Sequence, residues 1–223
     1  MLTEIATQRR QCLGRIEQEE VSTLHITIDR VGARKRFTRN AEIYGADEPA
    51  YCFYKVITGC VRSYKVLDDG RRLIAAFYMP GDIFGLEATE RHLLSADAVN
   101  DTEVFVIKCN VVTSLFGREP AVARDLWHHM ANEVCRAQRH LLLLNKSSSE
   151  RMATFLLDMS DRIQLSDEIG LPMSRDDIAD HLALRSETVS RVLKSFENAS
   201  VISLRTCRHI VLRDRRALQK MIV

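Results

Sequence analysis

Apolar and polar positions from about Leu24 to Ile107 favour strands. LHITIDR alternates, CFYKVITGCVRSYKV alternates in part, and RRLIAAFYM is a run of good strand formers. Between two such runs, VLDDGRRLI places Asp68-Asp69-Gly70, a strong hairpin signal because the glycine supplies a left-handed turn residue. Turn-like breaks recur at NAEIYGADEPA, YMPGDIFG and VNDTE. Short strands at this spacing predict a small β-roll, assigned to residues 1–117.

The period changes after Gly117. Pro120 suits the first turn of a helix, and no further Pro or Gly occurs until Gly170. Trp127, Met130, Val134, Ala137, Leu141 and Leu144 are spaced three and four apart, an a/d seam over nearly three heptads. Leu142 and Leu143 add a second apolar face, which predicts that one side of the helix covers the roll while the seam meets a second copy. Residues 118–146 are therefore expected to form a dimerisation helix about 40 Å long, at about 1.5 Å per residue, and the chain a homodimer.

KSSSE interrupts the pattern, and Ser147 with Glu150 fits a capping box that opens a third unit, 147–223. RMATFLLDMSDRIQL reads as an amphipathic helix. Ser174 with Asp177 starts a short helix, and RSETVSRVLKSF supplies another. Ile178, Ala179, Leu182, Leu184, Val189, Val192, Leu193 and Phe196 are the expected contacts between them. Two short strands, VISL and HIVL, follow. Two helices, a tight turn and a β-wing predict a winged helix-turn-helix, and the whole an α+β chain.

Net charge is only +2, but its distribution is uneven. From Glu150 to Leu184, Arg151, Arg162 and Arg175 face eight carboxylates. From Arg185 onward, nine basic residues (185, 191, 194, 205, 208, 213, 215, 216 and 220) face three acidic ones. That is the electrostatic footprint of a nucleic-acid surface. Glu187 and Arg191 lie one turn apart at its centre; as an ion pair they would support a helix by only ~0.2–0.5 kcal/mol.

Other chemistries find little support. No apolar run spans a membrane and the first residues lack a secretory core, so a cytoplasmic protein is expected. The six cysteines form no C-x-x-C and none has a histidine at zinc-ligand spacing, so no metal is expected. Cys207, in LRTCRH, sits among basic groups that favour the thiolate and is the candidate redox residue. Nucleophile elbows, phosphate loops and zincin motifs are absent, and Asp82 with Glu87 is a carboxylate pair without a nucleophile. An enzyme is not expected.

Taken together, YMPGDIFGLEA, SRDDIADHLALRSETVSRVLKSFENASVI and the long helix between them resemble the CRP/FNR family of bacterial transcription regulators. E-T-V-S-R, with a glycine–aspartate loop lacking a nucleotide clamp, is most similar to the FNR/FixK branch. The resemblance implies a cyclic-nucleotide-binding-like roll and a homodimeric DNA-binding activator. It further implies TTGA-type inverted repeats near genes for low-oxygen or nitrogen-oxide metabolism. Carried over by position, Ser186, Glu187, Ser190 and Arg191 face bases, while Thr188, Lys194, Arg205 and Arg208 face phosphates. A carboxylate accepts from cytosine N4 and a guanidinium forks onto guanine O6 and N7.

The hairpin tip, Asp68-Asp69-Gly70, is the candidate RNA polymerase contact. Two departures stand out: Ala183 and Arg185 occupy positions where the family carries a glycine and a Ser/Thr cap, which makes Ser186 the alternative cap. In TERHLLSADAV, Arg91 and Ser95 are not adjacent and Glu90 repels phosphate, which argues against a cyclic nucleotide. Only Cys12 lies where the family's iron–sulfur ligands cluster. The expectation is a FixK-like protein without cofactor. The alternative is a ligand-gated member, with haem on one of His25, His92, His128, His129 or His140, sensing nitric oxide or carbon monoxide, or with a small effector.

Overall fold

The computed structural model describes residues 22–116, 119–163 and 167–222; Cys12 lies outside them. The chain opens with a helix, α1 (Thr23–Val31), where LHITIDR predicts a strand. Leu24 and Ile28, four apart, are buried on one face, while Ile26 between them is exposed. Tertiary contacts decide the period here: Asp125, about a hundred residues away, accepts from the Ser22 hydroxyl at 2.8 Å and the Leu24 amide at 3.2 Å. Lys55, buried on the roll, pairs with Asp29 at 2.7 Å and fixes the other side of the helix.

Eight strands follow: β1 (Ala33–Phe37), β2 (Glu42–Tyr44), β3 (Cys52–Thr58), β4 (Val61–Val66), β5 (Arg72–Tyr78), β6 (Ile83–Phe84), β7 (Ser95–Ala98) and β8 (Thr102–Lys108). They make two antiparallel four-stranded sheets, ordered β1-β8-β3-β6 and β2-β7-β4-β5. Phe37, Tyr54, Val56, Val61, Phe84 and Val104 fill the space between them. Gly59 joins β3 to β4 at φ +87°, and a Cβ there would lie 2.4 Å from the Thr102 hydroxyl. The expected Asp-Asp-Gly hairpin joins β4 to β5, with Gly70 at φ +80° and Asp69 accepting from the Arg71 amide at 3.0 Å.

A short helix, α2 (Cys109–Phe116), leads to the long helix α3 (Pro120–Leu143), which begins at Pro120 as its sequence predicts. Val122 is buried and Leu126 packs with it under α1 and β3, so the N-terminal half of α3 covers the roll. The expected second apolar face is only half right. Leu143 packs inward, but Leu142 is 68% exposed beside Leu141 and covers nothing in the protomer.

The reader unit comprises α4 (Ser148–Ile163), β9 (Glu168–Gly170), α5 (Arg175–Leu182), α6 (Ser186–Asn198), β10 (Ile202–Leu204), β11 (His209–Leu212) and α7 (Arg215–Met221). Both expected capping boxes form: Ser147 exchanges bonds with Glu150, and Ser174 with Asp177. The wing is a three-stranded sheet, β10-β11-β9, one strand more than the sequence pattern shows. Ile74, Phe77 and Met79 of the roll belong to the same apolar cluster as Phe155, Ile178 and Leu182 of the reader. The reader is packed on the roll rather than tethered to it.

Candidate DNA-reading surface

α6 buries Val189, Val192, Leu193 and Phe196 on one face. That pattern leaves Glu187, Ser190, Arg191 and Lys194 exposed on the other, at helical spacings of three, one and three. Neither Glu187 nor Arg191 makes an ion pair with a described residue, so the i,i+4 pairing that would support the helix is not formed. Both charged groups are exposed on a helix whose opposite face is buried.

The turn before α6 shows how it is aimed. Ala183 adopts φ 50°, ψ 48°, the left-handed region that favours glycine, at a cost of order 1–3 kcal/mol. What offsets it is Arg151 in α4, a residue the sequence reading did not single out. Its guanidinium donates to the carbonyls of Leu182 at 2.9 Å and Ala183 at 3.2 Å, and its Nε to Lys146 at 2.8 Å. One side chain therefore ties the end of the long helix to the helix-turn-helix turn. The signal was available: a helix that ends without glycine or asparagine needs another donor for its last carbonyls.

Ser186 is not the cap. Arg185 holds that position with extended backbone and no side-chain bond, while Ser186 is the first helical residue and its hydroxyl donates to Asp176. Thr188 is half-buried behind the reading face. Lys194 pairs with Glu197 at 2.7 Å, and the other oxygen of Glu197 accepts from the Leu204 amide at 3.1 Å. Glu197, also unforeseen, thus sets the start of the wing against α6; the Lys194 bond and then the Leu204 amide hold its carboxyl below the usual range.

On the wing, Arg205 lies 3.5 Å from Glu168 and is mostly exposed. Thr206 accepts from the amides of Arg208 and His209, closing the turn that carries Cys207 into solvent. Arg208, half-buried, borders a polar cleft with Arg39, Arg62, Arg72 and Asp176. The structure therefore leaves Glu187, Ser190, Arg191, Lys194 and Arg205 on exposed positions, with Arg208 half-buried beside Asp176, the partner of Ser186.

Along α3, Trp127 (72% exposed), Met130, Val134 and Leu141 form an uncovered apolar stripe. Ala137 borders a cavity, and Leu144 is half-buried at the end of the helix. Asp68, Asp69 and Gly70 lie exposed at the hairpin tip, where Asp69 also accepts from Arg71 Nε at 2.7 Å.

In the roll, Arg91 is turned onto the Asp47 carbonyl and the Ser95 hydroxyl accepts from Ala46 at 2.9 Å. His92 is buried, stacked on Tyr44 with ring centres 3.7 Å apart. His129 lies 3.3 Å from the Ile83 carbonyl, and His140 stacks on His181 at 4.3 Å. Among the described residues no group of three His, Cys, Asp or Glu side chains is placed to hold a metal ion.

His181 lies in the roll–reader contact, with Nδ1 3.1 Å from the Ile74 carbonyl. Burial first, then neighbouring His140, push it down to about 3, so the neutral ring donates its Nδ1–H to that carbonyl. Its unfolded value is 6.5, so the stability it contributes is complete above that pH and is lost as pH falls toward about 3. From pH 6.5 to 5 one such site removes ~2 kcal/mol. Thermal unfolding at pH 7 and pH 5 is expected to show a steeper loss in the parent than in His181→Phe; equal losses contradict this placement.

Comparison with known proteins gives the same picture. The Crp-like helix-turn-helix domain family matches residues 150–221, and the cyclic nucleotide-binding domain family matches 34–119. The nitrogen fixation regulation protein FixK of Azorhizobium caulinodans is 44% identical over 197 residues, covering 86% of this chain and 79% of the relative. FixK of Rhizobium meliloti is 38% identical over 183 residues, covering 81% and 82%. The solved structure of FixK2 from Bradyrhizobium japonicum superposes with a TM-score of 0.83 at 44% identity, covering 86% of this chain and 98% of that one. α5 and α6 with the wing after them lie within the region matched by the helix-turn-helix family, and the chain is a transcription regulator of the CRP/FNR family, in its FixK-like branch.

Proposed function

We propose that this chain acts as a homodimer that binds a TTGA-type inverted repeat and activates transcription without a bound effector. The single observation that carries the reading is the free Glu187–Arg191 pair on the exposed face of α6. Glu187 accepts from cytosine N4 and Arg191 forks onto guanine. Ser190 contributes a contact between them, and Ser186, its hydroxyl turned to Asp176, steadies the helix more than it reads. Thr188, Lys194, Arg205 and Arg208 hold the phosphate backbone.

Trp127, Met130, Val134, Ala137, Leu141 and Leu144 are assigned to the dimer seam, which accounts for large apolar side chains in water. The tip Asp68-Asp69-Gly70 is assigned to RNA polymerase and Cys207 to redox modulation near the DNA. A role in low-oxygen or nitrogen-oxide metabolism, in the cytoplasm, is part of this reading, and relatives named for nitrogen fixation regulation support its link to nitrogen metabolism. No catalytic activity is proposed.

Effector-free action is supported by the filling of the roll. Tyr44, Tyr54 and Tyr78 each stack on Phe84 in its interior, with ring centres 6.2, 5.1 and 5.1 Å away. A ligand-gated protein is the second reading, favoured by a cavity of about 330 Å³ between β4–β5, α3 and the reader, bordered by Tyr78, Arg136, His140, Phe155 and His181. DNase protection by purified, reduced protein without additives is the test. A two-fold symmetric footprint over the inverted repeat is expected; no footprint until a small molecule is supplied favours the second reading.

A further inference from the structure

We propose that an ion-pair clamp between the β4–β5 strands of the roll and α5 of the reader is a positioning device that presets α6 before DNA arrives. Its centre is Asp177. One carboxylate oxygen accepts from Arg62 Nη1 at 2.6 Å and from Arg72 Nη2 at 2.5 Å. The other accepts from the Ser174 amide and hydroxyl, closing the capping box of α5. Arg72 Nε reaches Asp180 at 2.9 Å, one turn along the same helix. Arg62 also donates to Asp97 of β7 at 2.9 Å. Arg62, Asp97 and Asp177 are all buried.

The capping box needs only one oxygen of Asp177. The second is given to a different domain, more than a hundred residues away in sequence. Burial opposes the charge on Asp177, but the Ser174 bonds together with both arginines outweigh it and hold the carboxyl below its usual range. Around this centre Arg162 of α4 donates to the Phe77 carbonyl at 2.7 Å and to Asp82 at 2.6 Å. His181 of α5 is bonded to Ile74 and stacked on His140 of α3. α5 is thus held to β5 by side chains on three of its positions, and its other face packs against α6.

The consequence is geometric. In a dimer the two reading helices must enter successive major grooves about 34 Å apart. A reader free to swing about residues 144–147 would lose that freedom on binding, which lowers affinity. The clamp removes the freedom in advance, doing by ion pairs what an effector does in a ligand-gated protein. In this it rests on the effector-free reading given above.

The test uses Arg72→Gln and Asp180→Asn, because Arg62 also holds Asp97 inside the roll and Asp177 caps α5. Each variant and the parent are titrated onto the inverted repeat and a scrambled duplex at one salt concentration, with circular dichroism to confirm the fold. Trypsin cleavage after Lys146 reports release of the hinge. Affinity for the repeat is expected to fall about tenfold, with scrambled binding little changed, faster cleavage, and a double variant no weaker than the worse single one. Unchanged affinity and cleavage overturn the proposal, and tighter binding overturns it by showing that the clamp restrains the reader. If the parent does not distinguish the two duplexes, the effector-free reading fails by itself; the cleavage rates then decide whether the clamp exists.

Discussion

Val134→Glu is expected to convert the protein to monomers and to lower its affinity for the inverted repeat by about 10²-fold or more, the gain that linking two binding heads provides. Val134 lies in the middle of the proposed seam and is 53% exposed, so the protomer does not depend on it for its own core. A glutamate there costs nothing in an isolated chain but would be buried without a partner between two copies of α3. Sedimentation and anisotropy titration of the same sample check both halves of the prediction, and unfolding temperature at low concentration checks that the protomer survives. A variant that still sediments as a dimer places the interface elsewhere than on Trp127, Met130, Val134 and Leu141.

Arg191→Ala is expected to abolish discrimination at one base pair of each half-site. A forked guanidinium–guanine contact carries ~1–3 kcal/mol of selectivity, so about 5- to 150-fold should disappear between the right and the wrong base at that position. The neighbouring positions should keep their preferences, because the helix rests on Val189, Val192, Leu193 and Phe196, all on the opposite face. Glu187→Ala should do the same at a different pair. The measurement is binding to a set of duplexes that differ singly in the half-site. If Arg191→Ala weakens all of them equally, Arg191 is a phosphate contact and the base is read by another side chain.

Much of this surface was legible in the sequence because it is periodic. The apolar stripe of α3, both capping boxes, the Asp-Asp-Gly hairpin and the two faces of α6 are each written within a single local stretch of sequence. What escaped depends on partners far along the chain. LHITIDR is equally consistent with a strand and with the helix it forms, since Asp125 and Lys55 make the choice. Arg151 reads as an ordinary surface cation until its four backbone carbonyl partners are seen in space. The clamp joins residues 105 and 115 positions apart, a separation that leaves no pattern. Ser186, expected to face a base or else to cap α6, is the first helical residue and donates to Asp176, because Arg185 takes the capping backbone geometry without supplying a side chain.

The most direct measurement is a fluorescence-anisotropy titration of the purified, reduced protein, with nothing added, on a TTGA-type inverted repeat and on a scrambled duplex at the same salt. Salt must match, since phosphate contacts alone make non-specific affinity salt-dependent. The account predicts binding to the repeat about 10³-fold tighter than to the scrambled duplex. Equal, weak binding to both contradicts it.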